Sequence, residues 1–489
     1  MAFQSLHLMN ESPHLVKFLQ DLEHQFCQAE ASEICTAVHE QMRSSAKNLY
    51  KYLILRSYDM RQAQQELHHL GLSSLAAAES HIHYQLSKVL GWLCPEYISN
   101  PCSIDDFTGR KLIADRAEML FGPKNQPTET PYLMVTIDEK AFGDPRYFDQ
   151  LLLHGMNVAR INFAHTDEAT ARSMIAALRE SSARVGIACK IYMDLAGPKI
   201  RTVIPGNKKK IKIQAGEIVN LCTLNSEPRD KKTIWVSEAS IFQTVSPGDR
   251  VFIDDGKFYG IVEKNDCDKV AVRILRTPQE KAEIKSDKGI NLPDTQLNTP
   301  SLTSEDIKHL RLAGEFADLI GYSFVRKRED IKVLRSHMRE LNIQVPVIYK
   351  IETSEAVENF PDLLIEAMRE PLFGVMIARG DLAVEIGFER LAEIQEELLW
   401  LAEAAHIPMI WATQVLENLN KTGILTRSEI SDAVMASMSE CVMLNKGRNI
   451  HQTMRTLSDI LQRETSHRQK KRFTMRSLSI AKRFLHKIQ

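Results

Sequence analysis

The chain has 489 residues, of which 44% are hydrophobic and 26% are charged, and its formal net charge is −1. This length predicts roughly two to four domains, and the composition is ordinary for a globular protein. The near-zero net charge gives no reason to expect a nucleic-acid partner, and no apolar run approaches the roughly 20 residues that a transmembrane helix needs.

Residues 1–125 predict a helical domain. Apolar side chains recur at helical spacing in its first part, at Leu15, Phe18, Leu19, Leu22 and Phe26. A second helical pattern covers about 32–69, and a third follows it. The segment GPKNQPTETP, at 122–131, is rich in turn-forming residues and predicts a linker. Because the first residues lack a basic segment followed by an apolar core, we expect no secretory leader.

From residue 132 onwards, short β-rich runs alternate with amphipathic helical stretches. Eight runs are predicted as strands, at 133–138, 156–163, 190–195, 317–324, 345–352, 374–381, 408–414 and 441–446. Strands that alternate with helices are typical of parallel sheets. Eight such units predict an α/β fold, a (β/α)8 TIM barrel formed by 132–202 and 288–463.

The long gap between the third and fourth predicted strands does not fit a simple loop. Its sequence alternates polar and apolar residues and carries Gly and Asp turns, as in GDRVFIDDGKFYGIVEK. We therefore predict a small all-β domain inserted into the barrel at about 203–287.

The carboxy-terminal segment, 464–489, is predicted as a basic amphipathic tail. From residue 466 it has eight Lys or Arg and no acidic residue, and Leu478, Ala481, Leu485 and Ile488 would share one helical face. It could pack on its own protein, or it could contact a membrane surface or a partner protein. The sequence leaves these alternatives open.

The eight cysteines are scattered along the chain, and none of them forms a C-x-x-C pair. This pattern is typical of a reducing compartment and argues against a disulfide framework or a zinc site. We therefore expect a cytoplasmic protein.

Charged and polar residues concentrate at the ends of the predicted strands, where barrel enzymes carry their working residues. They are Arg160, Asn162, His165, Asp194, Lys199, Arg201, Ser323, Arg326, Lys350, Glu352, Arg379, Gly380, Asp381, Thr413, Gln414 and Glu417. Each could be an ordinary surface residue taken alone. Together they predict a polar crown suited to phosphoryl transfer or to the handling of an enolate.

Several of these residues have a specific chemical interpretation. Glu352 and Asp381 offer the carboxylates that Mg²⁺ prefers, if their strands are neighbours. Lys350 lies two residues before Glu352, so both face the barrel interior, where the lysine could neutralise a phosphoryl group or merely form a salt bridge. Arg160 offers a fork for phosphate, and Gly380 allows close approach of a small carboxylate. Thr413 adds a hydroxyl donor.

Nine strings resemble the pyruvate kinase family, in the same order along about 132–460. They are GMNVARINFAH, DLAGPKIRT, DDG, KGINLP, SFVR, KIE, ARGDLAVEI, ATQVLEN and LTRSEISDAV. The resemblance implies a (β/α)8 barrel with an inserted β-barrel lid. It also implies transfer of phosphate from phosphoenolpyruvate to ADP, giving pyruvate and ATP in glycolysis.

The resemblance implies a role for each matching residue. Lys350, Thr413 and Arg160 would be catalytic, and Glu352 and Asp381 would bind Mg²⁺ or Mn²⁺. The substrate would contact Arg160, Ala378, Arg379, Gly380, Asp381 and Thr413. The nucleotide would contact Asn162, His165, Arg201 and Lys288.

The family resemblance also gives Lys199 a role. Many members hold K⁺ with Asn, Ser, Asp and Thr side chains, and the matching positions here are Asn162, Ala164, Asp194 and Leu195. K⁺-independent members have a lysine where the others have a glutamate, and Lys199 fits that pattern. We predict that its ammonium replaces the monovalent cation and that K⁺ is not required.

The chain also departs from the family pattern. Asp138 and Glu139 replace residues beside the nucleotide, where their negative charges could repel its phosphates. NKGRN at 445–449 replaces the family's SGET string. No counterpart of the family's carboxy-terminal regulatory domain is expected, and residues 1–125 look like the extra domain of a divergent bacterial subgroup. Two alternatives therefore remain, a nucleotide-independent enzyme acting on pyruvate or phosphoenolpyruvate and a catalytically inactive scaffold. Oligomerisation through the barrel is left open.

Overall fold

A computed structural model describes most of the chain. The described residues are 13–98, 103–124, 129–205, 210–224, 226, 232–296 and 299–465, with the backbone of 468–469 and 472–473. The tail that we predict at 464–489 lies outside them beyond residue 465, apart from these four backbone positions. Among the helices in these ranges, none combines the length and the apolar character that a membrane crossing requires.

The described amino-terminal residues are helical. Their helices are Pro13–Ala29, Glu33–Thr36, Arg43–Arg56, Arg61–His69, Ile82–Leu93 and Asp106–Phe121, with short 3₁₀ turns at Glu40–Met42 and Glu79–His81. The last helix begins at Asp105, whose side chain accepts a hydrogen bond from the Thr108 N–H, and it ends at Gly122. Its residues Ala117, Leu120 and Phe121 pack with the side chains inside the barrel. The helix therefore closes the amino-terminal mouth of the barrel.

The strands follow in chain order. They are β1 (Tyr132–Thr136), β2 (Met156–Asn162), β3 (Lys190–Asp194), β4 (Thr202–Val203), β5 (Lys210–Ile213), β6 (Ile218–Thr223), β7 (Thr233–Val236), β8 (Arg250–Ile253), β9 (Phe258–Asn265), β10 (Lys269–Arg276), β11 (Ala282–Lys285), β12 (Ile290–Asn291), β13 (Leu319–Tyr322), β14 (Val347–Ile351), β15 (Phe373–Ala378), β16 (Met409–Ala412), β17 (Cys441–Leu444), β18 (Arg468–Gln469) and β19 (Arg472–Phe473).

Eight parallel strands close into a barrel in the order β1-β17-β16-β15-β14-β13-β3-β2. The predicted (β/α)8 fold is therefore confirmed. The helices around it are Tyr147–Leu153, Glu168–Val185, Ser304–Phe316, Arg328–Glu340, Ser354–Glu358, Phe360–Ala367, Arg379–Ile386, Leu391–Ala404, Glu417–Thr422, Arg427–Ala436 and Ile450–Thr465, with a 3₁₀ turn at Phe388–Arg390. The buried strands β15 and β16 are continuous apolar runs because helices cover the sheet from outside.

The sixth predicted strand, 374–381, is too long in our prediction. β15 ends at Ala378, and a helix begins at Arg379. An acidic residue in the first turn, here Asp381, favours a helix start, and Arg-Gly-Asp has low strand propensity.

The inserted segment forms a seven-stranded sheet, a two-stranded sheet and a short helix, Ile241–Thr244. The two sheets enclose an apolar core of their own, which includes Ile213, Leu221, Val251 and Ile284. The larger sheet extends from β4 to β12 and so includes residues on both sides of the predicted 203–287. β4 follows the third barrel strand closely in the chain, and Asn291 of β12 donates to Glu385 of helix Arg379–Ile386, so the sheet is held over the barrel mouth.

Buried hydrogen bonds join the amino-terminal helices to the barrel. Asn48 Nδ2 donates to the Ala404 carbonyl at 2.8 Å, and Arg116 Nη1 donates to the His406 carbonyl at 2.8 Å. The His406 ring in turn contacts the Ser80 carbonyl at 2.7 Å. Because buried polar groups need partners, these contacts fix the helical segment in one position against the barrel.

Candidate active site

A cavity of about 390 Å³ opens where the carboxyl ends of the barrel strands face the inserted sheet. Parallel strands deliver their carboxyl ends to one mouth, so residues distant in sequence meet there. Most of the predicted site residues line this cavity, namely Arg160, Asn162, His165, Lys199, Arg201, Lys288, Lys350, Glu352, Ala378, Asp381 and Thr413.

Lys350 lies at the floor of the cavity between two carboxylates. Its Nζ is 3.3 Å from Asp194 and 3.1 Å from Glu352 Oε1, and it donates to Ser323 Oγ at 2.7 Å. Burial alone lowers the pKa of Lys350, but the two carboxylates outweigh it and the pKa lies above its ordinary value. The lysine is therefore a fixed positive charge in a buried site, where electrostatic interactions are stronger than in water.

Arg160 is held by the same aspartate. Its Nε and Nη2 donate to Asp194 Oδ2 at 2.9 and 2.5 Å, and its Nη1 donates to Thr136 Oγ1 at 2.9 Å. Burial raises the pKa of Asp194, but Lys350 and Arg160 outweigh this effect and hold the pKa below its ordinary value. The side chains of Arg160 and Lys350 therefore share one anchor and converge on the cavity.

Asp194 and Ser323 thus position the two cations. Our prediction placed both in the polar crown but gave them no catalytic, substrate-binding, nucleotide-binding or metal-binding role. The signal was present, because both lie at the ends of predicted strands. What the sequence lacks is the cross-strand contact: β3 neighbours β2 and β13 in the barrel, and β13 neighbours β14. These pairings bring Asp194 to Arg160 and Ser323 to Lys350.

Glu352 and Asp381 face the same cavity from neighbouring strands, β14 and β15. Burial, the largest cause, and the Asp381 charge raise the pKa of Glu352, although Lys350 acts to lower it. The Phe324 N–H donates to Glu352 Oε2 at 2.7 Å and orients it. Two converging carboxylates that repel each other fit a divalent cation, which takes oxygen ligands and relieves the repulsion.

Arg379 is among the predicted substrate contacts, but its side chain does not line the cavity. Its guanidinium donates to the carbonyls of Ala412 and Thr413 at 3.0 and 2.6 Å and pairs with Asp432. It also stacks on the Trp411 ring, 4.5 Å from the centroid. The helix that begins at Arg379 turns this residue away from the cavity, whereas Asp381 faces it.

Thr413 is held in an unusual backbone conformation. Its φ is +66°, in the left-handed region that a β-branched residue rarely adopts. The Gly380 N–H donates to Thr413 Oγ1 at 2.8 Å, and Arg379 binds the Thr413 carbonyl. Arg379 and Gly380 therefore position Thr413, whose side chain lines the cavity.

Lys199 reaches the predicted metal ligands. Its Nζ donates to Asp381 Oδ1 at 2.6 Å and lies 3.9 Å from Asp255. Burial lowers the pKa of Lys199, but Asp381 outweighs it and the pKa lies above its ordinary value. The ammonium thus pairs with Asp381 and not with Asn162 or Asp194, while the apolar Ala164 and Leu195 line the same cavity.

The predicted nucleotide residues lie on the side of the cavity toward the inserted sheet. Arg201 Nη1 is 3.1 Å from Asp287, and Lys288 Nζ is 2.9 Å from Asp254. His165 is 3.9 Å from Asp287; burial, Arg201 and Lys446 lower its pKa. Arg201 and Lys288, each paired with an aspartate, define what we call the basic side of the cavity.

The two segments that depart from the family pattern meet in space. Glu139 Oε1 accepts a hydrogen bond from Thr166 Oγ1 at 2.7 Å, and Lys446 Nζ lies 4.0 Å from the same oxygen. Lys446 therefore offsets the negative charge of Glu139, which the sequence suggested would repel nucleotide phosphates.

A pH-dependent prediction arises at Glu385, whose Oε1 accepts from Asn291 Nδ2 of the inserted sheet at 3.0 Å. Burial raises the pKa of Glu385 to about 7. The folded chain therefore keeps a proton that the unfolded chain loses near pH 4.5, so stability falls as pH rises toward and through 7. We expect the metal-free protein to lose about 2 kcal/mol more than its Glu385→Gln variant between pH 5.5 and 8.

Urea unfolding at the two pH values, with a chelator present, measures this difference. Glu389→Gln, at an exposed glutamate of the same segment, is the matched control and should behave as the wild type. Parallel pH profiles of the wild type and Glu385→Gln would contradict the assignment.

Comparisons with known proteins identify the family and the fold that this chain resembles. The family model described as the barrel domain of pyruvate kinase matches residues 133–449. A pyruvate kinase of Hypocrea jecorina is 33% identical over 298 residues, covering 60% of this chain and 54% of that protein. A pyruvate kinase of Corynebacterium efficiens is 32% identical over 324 residues, covering 64% and 65%.

Among solved structures, a pyruvate kinase from Cryptosporidium parvum superimposes with a TM-score of 0.62 at 26% identity, covering 71% of this chain and 72% of that chain. The chain spans about half to two thirds of the length of the curated relatives it matches. Residues 1–132 and 450–489 lie outside the region that the family model matches.

Proposed function

The chain belongs to the pyruvate kinase family, and from this premise we propose that it transfers the phosphoryl group of phosphoenolpyruvate to ADP. The products are pyruvate and ATP, the reaction uses Mg²⁺ or Mn²⁺, and it requires no K⁺. The observation that supports this most is the fixed charge of Lys350, held between Asp194 and Glu352 in a cavity that Arg160 and Asp381 also line.

The reaction breaks the bond between phosphorus and the enol oxygen and forms a bond to a terminal oxygen of ADP. The enolate that remains takes up one proton at its methylene carbon to give pyruvate. Negative charge thus develops first on the phosphoryl group and then on the enolate oxygen. Lys350 and Arg160 present fixed positive charge to the phosphoryl group and to the enolate oxygen. Because these charges are already in place, they stabilise the transition state without any rearrangement of the site.

The other residues of the cavity position the reactants. Glu352 and Asp381 would hold the divalent cation, which supplies further charge to the phosphoryl oxygens when bound. Thr413, fixed by Arg379 and Gly380, presents its hydroxyl to the carbon that takes up the proton. Arg201 and Lys288 would contact the phosphates of the nucleotide at the basic side of the cavity.

The proposal includes K⁺ independence. Ala164 and Leu195 offer methyl groups where a hard monovalent cation needs oxygen ligands. Lys199 supplies a permanent positive charge at the same mouth of the barrel. We also place the reaction in cytoplasmic glycolysis.

The direct test is pyruvate formation by the full-length chain from phosphoenolpyruvate, with Mg²⁺ present and with ADP added or omitted. We expect pyruvate and ATP in equal amounts only when ADP is present. Pyruvate released without ADP, or metal-dependent exchange of the methyl protons of pyruvate alone, would favour a nucleotide-independent enzyme. Absence of all three would favour the scaffold alternative.

The ion pair between Glu139 and Lys446 favours the nucleotide-dependent enzyme, and we predict the effect of breaking this pair. Lys446→Met should leave the Glu139 charge facing the nucleotide side and raise KM for ADP about threefold, because exposed pairs contribute up to about 1 kcal/mol. KM for phosphoenolpyruvate should stay unchanged. The double variant Glu139→Gln/Lys446→Met should recover most of the loss.

Steady-state kinetics with each substrate varied in turn measure this effect. Lys332→Met, at an exposed lysine of helix Arg328–Glu340, is the control. If KM for both substrates rises equally, Lys446 does not act at the nucleotide side.

The scaffold alternative conflicts with the burial of the charges. Lys350, Asp194 and Glu352 are each at most 7% exposed. Burying several charges costs free energy that packed apolar residues would not cost. Such a cluster is expected where its charge is used.

A further inference from the structure

A second cavity, of about 580 Å³, lies at the amino-terminal face of the barrel. We call it the basal groove. Tyr132 begins β1 and Glu440 precedes β17, so the groove is at the opposite mouth from the candidate active site. Its apolar wall includes Ile113, Ala114 and Ala117 of helix Asp106–Phe121, with Pro123, Pro131 and Tyr132.

The basal groove is rich in acid. Four glutamates line it, Glu118, Glu129, Glu403 and Glu440, against two cations, Arg110 and Lys124. Lys124 donates to the Thr130 carbonyl at 2.8 Å, and its Nζ lies 4.8 Å from the centroid of the Tyr132 ring. Burial lowers the pKa of Lys124, and the charges of Glu440, Glu129 and Glu118 oppose this effect, so each of these carboxylates acts on Lys124. The groove therefore suits a partner that is both cationic and apolar.

The helix Ile450–Thr465 delivers the chain to this groove, because Thr465 lines it. The residues that follow, 466–489, carry eight Lys or Arg and no Asp or Glu, together with Leu478, Ala481, Leu485 and Ile488. Their charge is opposite to that of the groove, and their apolar side chains match its wall.

The length of the chain permits this contact. β18 and β19 pair antiparallel, with Arg468 opposite Phe473, so the chain reverses its direction soon after Thr465. Three extended residues and one strand spacing place the Phe473 backbone within roughly 16 Å of Thr465. The 16 residues that remain would span roughly 24 Å even as a helix.

We propose that the carboxy-terminal segment 466–489 binds in the basal groove of its own chain. Its leucines and isoleucines pack on the wall formed by Ile113, Ala114 and Tyr132, and its lysines and arginines pair with the glutamates. Because the segment is tethered beside the groove, its effective concentration there is on the order of millimolar, which favours this contact over one with another molecule. This contact between the groove and the segment does not depend on the catalytic activity.

Limited proteolysis of the full-length chain tests the proposal, because each Lys and Arg of the segment is a trypsin site. We expect the segment to be cut at least about tenfold more slowly than a synthetic peptide of residues 466–489. The rate of cleavage is proportional to the fraction of chains in which the segment is not bound in the groove. Ala114→Trp should fill the groove and Glu118→Lys should reverse its charge, and each should remove most of the protection. Both positions are exposed on the helix surface, so the core is left intact.

Two further variants test the contact. Glu280→Lys, at an exposed position in the turn between β10 and β11, should keep the protection. Lys482→Glu/Arg483→Glu should lose it at the remaining trypsin sites without any change in the groove. Cleavage of the wild type as fast as the peptide would overturn the proposal. Protection that needs added vesicles of phosphatidylserine and phosphatidylcholine, or that disappears on dilution, would overturn it in favour of a membrane surface or a second copy.

Discussion

Pyruvate formation is expected to fall by about a thousandfold when Lys350 is replaced with methionine. The ammonium of Lys350 is the charge at the cavity floor that faces both the phosphoryl group and the enolate in the proposed reaction. Methionine fills a similar volume and carries no charge, so the variant removes the electrostatic stabilisation and keeps the shape. The initial rate with saturating phosphoenolpyruvate, ADP and Mg²⁺ measures the effect.

The same substitution also affects stability, and the two effects must be separated. Without Lys350, the buried carboxylates of Asp194 and Glu352 lose a partner, which typically costs about 3–5 kcal/mol. Thermal unfolding and circular dichroism should therefore accompany the assay. Ser323→Ala removes the hydrogen bond from Lys350 and the one that Ser323 donates to the Leu195 carbonyl, but it keeps the charge of Lys350 and should reduce the rate far less. A folded Lys350→Met variant with activity within tenfold of the wild type would refute the role of Lys350.

Replacement of Lys199 is the second substitution for which we expect a large loss of activity. We expect the wild type to work equally well in K⁺ and in tetramethylammonium, and we expect Lys199→Met to lose about a hundredfold in rate in both salts. The triple variant Ala164→Ser/Leu195→Thr/Lys199→Glu restores oxygen ligands in place of methyl groups and should be activated by K⁺. Rates measured across K⁺ concentrations at constant ionic strength test all three chains.

The contact between Lys199 and Asp381 offers a competing explanation, and Mg²⁺ titration resolves it. If Lys199 only neutralises Asp381, Lys199→Met should bind Mg²⁺ more tightly and keep its rate. That result, or activation of the wild type by K⁺, would contradict the role of Lys199 as a substitute for the monovalent cation. Lys285→Met, at an exposed lysine of β11, is the matched control.

The barrel was predictable because its signals are local. Each strand is a short apolar run, and each helix shows apolar residues at helical spacing. A parallel sheet requires strands and helices to alternate along the chain. The insertion was visible for the same reason, since its polar–apolar alternation and turn residues differ from the barrel on either side. Lys350 and Glu352 could be placed on one face because a strand repeats every two residues.

Other features depended on contacts between distant residues. Arg379 lies near the end of a predicted strand, as Glu352 does, yet the helix that begins there turns it to Asp432, 53 residues later in the chain. The sequence predicts that the charge of Glu139 repels nucleotide phosphates, whereas the structure places Lys446 beside Glu139 and so offsets that charge. Local propensity carries no information about such partners.

The sequence by itself determined the order of strands and helices, the position of the insertion and the residues at the strand ends. Only the tertiary structure decided which of those residues act on one another: Asp194 anchors Arg160 and Lys350, and Ser323 supports Lys350 from the neighbouring strand. It also decided that helix Asp106–Phe121 closes the barrel and borders an acidic groove beside Thr465. Periodicity along the chain reports burial, whereas the pairing of charges depends on which strands become neighbours when the barrel forms.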